Sequence, residues 1–209
     1  VPDSRVRVVL PGTDPGRAAV GPAAGEPPRL LCVGSLTPRK GHDVLVRALA
    51  RIASLSWSCD CVGGLKHAPE HADSVLELTR SLGLEDRIGF SGELEAAELD
   101  EHYHTASIFV LATHYEGYGM VLAEALARGL PVVSTTGGAV PDTVPDGAGV
   151  LVPPGDERAL AEALHALLSG PEGAVRLAKL AEGSLRHGRS LPTWDDASLA
   201  FERAVQELS

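Results

Sequence analysis

Short apolar runs of strand length alternate with longer stretches of helical periodicity along nearly the whole chain, and this alternation restricts the fold more than any other feature. The runs at 29–33, 58–62, 88–91, 108–112, 132–134 and 149–152 predict strands. Between and after them, the pattern predicts helices over 42–52, 70–82, 95–106, 119–128 and 157–168. A strand–helix–strand repeat buries both faces of a sheet when the strands are parallel and the connecting helices cover them. The predicted fold is therefore α/β, a doubly wound parallel sheet of Rossmann-like type. Ligands of such sheets bind beyond the carboxyl ends of the strands. The segments 34–40, 113–119 and 135–138 all follow predicted strands, so they are expected to converge on one rim.

With 209 residues and 44% hydrophobic content, the chain can build one well-buried domain and is short for two. Residues 1–28, rich in Pro, Gly and Ala, read as an interdomain linker carrying an edge strand at 5–10. The domain proper is expected over 29–209. It closes with helices over 172–187 and 193–208 that break at Pro192, and Trp194 is expected to anchor the last helix. The chain starts at Val1 and its only Met is Met120, so excision from a longer protein is expected.

Composition removes several classes of function. A formal net charge of −10 and a pI near 5.2 argue against a general nucleic-acid surface, which needs clustered Lys and Arg. No apolar run approaches the roughly 20 residues of a membrane span, and no secretory signal opens the chain. A cytoplasmic location is expected. The three cysteines, Cys32, Cys59 and Cys61, lack a C-x-x-C spacing and read as buried thiols in a reducing compartment. Among the eight histidines, His67 with His71 and His102 with His104 have no third ligand nearby in sequence, so no metal site is predicted. His114, just before Glu116, fits either the ligand rim or a surface loop. Neither G-x-G-x-x-G after the first strand nor G-x-x-x-x-G-K-[ST] is present, which removes dinucleotide and P-loop chemistry.

The chemistry concentrates between Glu116 and Glu124. From Met120 to Ala127 every residue except Glu124 is apolar, so this helix is expected to be buried on most sides. A carboxylate there needs a hydrogen-bonding partner. Gly117 and Gly119 permit a sharp turn before the helix, leaving its first N–H groups free to meet an anion. Carboxylates beside an anion pocket suit a polyhydroxylated phosphate ester, while a structurally satisfied Glu124 with a solvated Glu116 is the plainer alternative.

Read in order, Leu31-Cys32-Val33-Gly34-Ser35-Leu36-Thr37-Pro38-Arg39-Lys40-Gly41-His42-Asp43, then Glu116 to Glu124, then Gly129-Leu130-Pro131-Val132-Val133-Ser134-Thr135-Thr136-Gly137-Gly138, closed by Gly149 to Asp156, resemble the C-terminal, donor-binding half of a retaining GT-B glycosyltransferase of family-4 type. The resemblance covers nearly the whole chain. It implies transfer of a hexose from a nucleoside diphosphate sugar to an acceptor held by a preceding domain, with retained configuration and no essential metal or cofactor. It implies catalytic roles for Lys40, on the diphosphate, and Glu116, on donor-sugar hydroxyls. It further implies donor-binding roles for Gly117, for the N–H groups of Gly119, Met120 and Val121, and for Glu124 on the ribose diol. The loop Ser91-Gly92-Glu93-Leu94 would receive the base through backbone contacts, so uracil, guanine and adenine all remain open. The final helix, 193–208, would pack toward the preceding domain.

One position departs from the family pattern. Ser35 stands where the family commonly has Arg, which weakens the expected grip on the diphosphate. Arg39 is the candidate to compensate, although side chains of adjacent residues are expected to point apart. A non-catalytic sugar-nucleotide-binding module is the alternative that Ser35 keeps in view.

Overall fold

The computed structural model describes residues 6–208. Six strands form one parallel sheet: β1 (Arg29–Val33), β2 (Ser58–Val62), β3 (Ile88–Gly92), β4 (Ile108–Leu111), β5 (Val132–Thr135) and β6 (Gly149–Val152), in spatial order β3-β2-β1-β4-β5-β6. The central strands are apolar because helices cover both faces. Residues of β4 and β5 are all buried, and Leu30, Leu31 and Cys32 of β1 are at most 1% exposed.

The connecting helices are α1 (His42–Arg51), α2 (Pro69–Ser81), α3 (Ala96–Thr105), α4 (Met120–Ala127), the short α5 (Val140–Thr143) and α6 (Glu157–Leu168). Then α7 (Gly170–Gly188) and α8 (Trp194–Leu208) close the chain. Every predicted strand and helix of the domain proper is present, with ends displaced by a residue or two. The strand order reverses between β1 and β4, and in open sheets of this kind ligands bind at the carboxyl ends of the strands beside such a switch point.

The amino-terminal segment departs from expectation. Residues 6–10 form no strand, and Arg5 lies outside the described residues. Val6, Val8 and Leu10 carry the two-residue period of a strand, yet they are 50%, 83% and 50% exposed and lie against no sheet edge. The linker is instead pinned by backbone hydrogen bonds from Thr13 N to Pro192 O, Ala19 N to Arg128 O and Val20 N to His104 O. Trp194 also departs: its side chain is 48% exposed, and the anchoring contact is its backbone, which packs so closely on Gly12 that a Cβ there would sit 2.4 Å from Trp194 Cα.

Candidate functional site

The chain leaves β1 through Gly34 and Ser35 and folds into a 3-10 turn, Pro38–Lys40, closed by Gly41. Gly41 has φ 66°, and a Cβ on it would lie 2.1 Å from the Ala112 carbonyl oxygen, so only glycine allows the start of α1 to approach the end of β4 this closely. That approach sets two distant segments side by side. Lys40 Nζ donates to Glu116 Oε1 at 2.7 Å, and the Thr113 hydroxyl donates to the same oxygen at 2.8 Å. Arg39 Nη1 lies 3.3 Å from it and donates to the Tyr115 carbonyl at 2.7 Å. Adjacency does not separate Arg39 from Lys40 here, because the turn carries both toward the β4 loop and the longer Arg reaches around from the exposed side. The backbone joins as well, His114 N donating to Arg39 O at 2.8 Å.

The third segment holds Glu116 by its main chain. Glu116 N donates to Gly137 O at 3.3 Å, and Glu116 O accepts from Ala139 N at 2.8 Å. Gly138, at φ 66°, passes so close that a Cβ would meet Glu116 O at 2.2 Å. The three segments expected to share a rim therefore do so, with Glu116 at their junction.

The Glu116 side chain is only 7% exposed. Burial pushes its carboxyl pKa up, but the hydrogen bond and charge of Lys40, the Thr113 hydroxyl and the Arg39 charge together outweigh burial and hold it below the ordinary glutamate value. Its two oxygens are not equivalent. Oε1 takes Lys40, Thr113 and Arg39, whereas Oε2 receives no hydrogen bond from any described residue. An ammonium has three protons, so one Lys40 contact to Glu116 leaves two for an incoming anion. The carboxylate thus fixes the cation through one oxygen and offers the other outward.

Nearby, α4 begins at Gly119 with no side-chain cap, and Met120 is 43% exposed rather than buried. Leu122, Ala123, Ala125 and Leu126 take the buried face instead. Glu124 finds the partner its position requires: Tyr103 Oη donates to Glu124 Oε2 at 3.0 Å. Burial, reinforced by the Glu124 charge, pushes the Tyr103 hydroxyl well above its ordinary value, so it remains a donor. Arg128 lies over the Tyr103 ring at 4.5 Å and pairs with Asp100 at 3.1 Å, which holds the ring in place. Glu124, Tyr103, Asp14, Met120 and Trp194 line a cavity of about 330 Å³.

Ser35 is partly exposed on the rim, where a hydroxyl adds no charge. Gly117 is exposed and Val121 half-buried at the same edge. Leu94 packs partly buried against the core and lines a shallow groove along α3 with Arg29 and His102. His114 is exposed, and its carbonyl packs against Gly137. Of the declined histidines, His102 Nδ1 lies 3.4 Å from Asp60 and His104 Nδ1 lies 2.7 Å from the Ala18 carbonyl. Sequence reasoning singled out neither Thr113 nor Tyr103. Thr113 is the first polar residue after the apolar run of β4, a signal available in the sequence; the Tyr103–Glu124 contact joins two helices and left none. A cavity of about 810 Å³ lies at the other end of the sheet beside Gly147 and α7, away from this rim.

The profile of the family described as Glycosyl transferases group 1 matches residues 18–183. This chain belongs to that family. A D-inositol 3-phosphate glycosyltransferase from Kineococcus radiotolerans is 35% identical over 232 residues, covering 98% of this chain and 53% of the relative. A GDP-mannose-dependent alpha-(1-6)-phosphatidylinositol monomannoside mannosyltransferase from Mycolicibacterium smegmatis is 30% identical, covering 84% of this chain and 50% of the relative. The chain therefore spans about half the length of the curated relatives it matches. Among solved structures, sucrose-phosphate synthase from Thermosynechococcus elongatus superposes with a TM-score of 0.85 at 28% identity, over 97% of this chain and 52% of that one. HepE from Anabaena, solved with UDP and glucose, shares the fold with a TM-score of 0.85 at 21% identity, over 96% of this chain and 56% of that one. Within this glycosyl transferases group 1 member, no helix among the described residues is long and apolar enough to cross a membrane.

Proposed function

We propose that residues 29–209 form the donor-binding domain of a retaining glycosyltransferase, which transfers a hexose from a nucleoside diphosphate sugar to an acceptor held by another domain of a longer, cytoplasmic protein. The observation that carries this proposal is the Lys40 ammonium held 2.7 Å from Glu116 Oε1 beside the uncapped start of α4. Lys40, Arg39 and the N–H groups of Gly119, Met120 and Val121 receive the diphosphate, an arrangement of fixed donors that stabilises charge developing on the leaving group. Ser35 contributes at most one neutral hydrogen bond. Glu116 Oε2 accepts from hydroxyls of the donor sugar, and Glu124, steadied by Tyr103, takes the ribose diol.

In the reaction, the bond between the sugar C1 and the diphosphate oxygen breaks while the acceptor hydroxyl attacks from the same face. The acceptor proton leaves with the diphosphate. Cations of the protein neutralise the phosphates, so the step requires no metal. The base lies against the Ser91 to Leu94 loop. Residues 1–28 connect the two domains, and α8, whose Leu199 and Phe201 are 52% and 63% exposed, packs toward the preceding domain. Ser35 is the one observation that favours a binding-only module.

Calorimetric titration with UDP, GDP and ADP tests the proposal. A GDP-mannose-dependent relative and a structural neighbour solved with UDP put GDP and UDP first among these. One nucleotide is expected to bind selectively, and Lys40→Ala and Glu124→Ala each to weaken it about tenfold or more, the loss of one charge-assisted contact. Binding that neither substitution changes would reject this site. Full-length protein that binds donor but neither hydrolyses nor transfers it would favour the binding-only module.

A further inference from the structure

The cysteines, which have no metal spacing along the sequence, meet in the fold. The parallel register of β1 on β2 sets Cys32 opposite Cys61, so both thiols stand on one face of the sheet. The first residue of α1, His42, lies over them, with Nε2 3.7 Å from Cys32 Sγ. A ligand atom from each of Cys32, His42 and Cys61 lies within 4.8 Å of the other two, and the three residues are 1%, 0% and 1% exposed.

Apolar packing alone does not account for this cluster. His42 is a fully buried imidazole, and neither ring nitrogen has a strong hydrogen-bond partner among the described residues, an arrangement that is rare in protein interiors. Its Nε2 faces only the sulfur of Cys32, a weak hydrogen-bonding group. Thiolate and imidazole are the ligands preferred by soft and borderline ions. Bonds of about 2.0–2.3 Å at a tetrahedral centre place ligand atoms roughly 3.5–3.8 Å apart, which the 3.7 Å between Cys32 Sγ and His42 Nε2 matches and the 4.8 Å limit on the other pairs approaches.

We propose that Cys32, Cys61 and His42 form a buried site for one zinc-like divalent ion, joining β1 and β2 to the first turn of α1. On binding, each thiol releases its proton and forms one sulfur–metal bond, and His42 donates its Nε2 lone pair. Two thiolates neutralise the divalent charge, so the occupied site is electrically neutral, which suits its burial. No electron is transferred. Cys59, buried two residues before Cys61 on the same face of β2, lies outside this group of three. His42 follows Gly41 and Lys40 directly, so an ion here would fix the root of the turn that carries Lys40. The ion proposed is structural, and the site stands apart from the nucleotide chemistry proposed above.

The test uses the folded, reduced protein titrated with Cd²⁺ and with Co²⁺, followed by thiolate-to-metal charge-transfer absorbance and by proton release in weak buffer. One equivalent is expected to saturate the band, with two protons released per ion and a raised Tm. Cys32→Ala and Cys61→Ala are each expected to abolish the stoichiometric band, and His42→Gln to weaken binding at least tenfold. Because alanine keeps these positions apolar, circular dichroism of each variant establishes that it remains folded. Should an alanine variant unfold, the His42→Gln affinity and the proton count decide. A band absent at one equivalent, retained in a folded Cys32→Ala or Cys61→Ala protein, or seen only after denaturation would overturn the proposal.

Discussion

The two oxygens of Glu116 have different neighbours: Lys40, Thr113 and Arg39 converge on Oε1, while Oε2 receives no hydrogen bond from any described residue. Its folded pKa lies below the unfolded value, so its contribution to stability is fully present above the ordinary glutamate value of about 4.3 and is lost as pH falls through the lower folded value. Glu116→Gln removes the counter-charge of Lys40, a side chain only 13% exposed. The substitution is expected to cost about 2 kcal/mol near neutral pH in urea unfolding. The gap between wild type and variant should narrow as the pH is lowered through the carboxylate range; a gap that widens on acidification would contradict this account. The sequence made Glu116 and Glu124 look like a matched pair. What it could not show is that one is saturated on a single oxygen by Lys40, Thr113 and Arg39, whereas the other leans on Tyr103. Those contacts join segments far apart in the chain, and nothing in local pattern encodes them. The expectation that Arg39 and Lys40 diverge failed for a related reason: the 3-10 turn and the reach of arginine outweigh adjacency.

Among the elements, strands and helices of the domain proper were legible because each had one apolar face or an apolar run, ended by glycine, proline or a cap. Val6, Val8 and Leu10 had the same period without the burial, which shows that period alone does not supply a neighbouring strand. The α6 helix illustrates an end that local chemistry does define: Asp156 accepts hydrogen bonds from Arg158 N at 3.1 Å and Ala159 N at 2.9 Å. Asp156→Ala is expected to lower stability by about 1 kcal/mol. Nucleotide affinity in calorimetry should be unaffected, because the cap is no part of the Lys40–Glu116 rim. A loss of affinity in folded Asp156→Ala protein would mean that the rim depends on the seating of α6.

At the scale of the whole molecule, α8 carries apolar side chains that lie largely open, Leu199 at 52% and Phe201 at 63% exposed. Exposed apolar surface of this kind promotes association when no partner covers it. Leu199→Glu together with Phe201→Glu is expected to shift the isolated chain toward monomer in sedimentation velocity and to leave its melting temperature within a few degrees. A large fall in melting temperature would place these residues inside the domain's own packing. The contact between Lys40 and Glu116 spans 76 residues and crosses the seam between β1 and β4, where the two halves of the sheet meet. A contact of that sequence separation forms only after long-range closure of the chain. During refolding the two halves can acquire their helices and strands while the rim is still open, so the Lys40–Glu116 contact is a late product of the folding reaction and reports that the seam has closed.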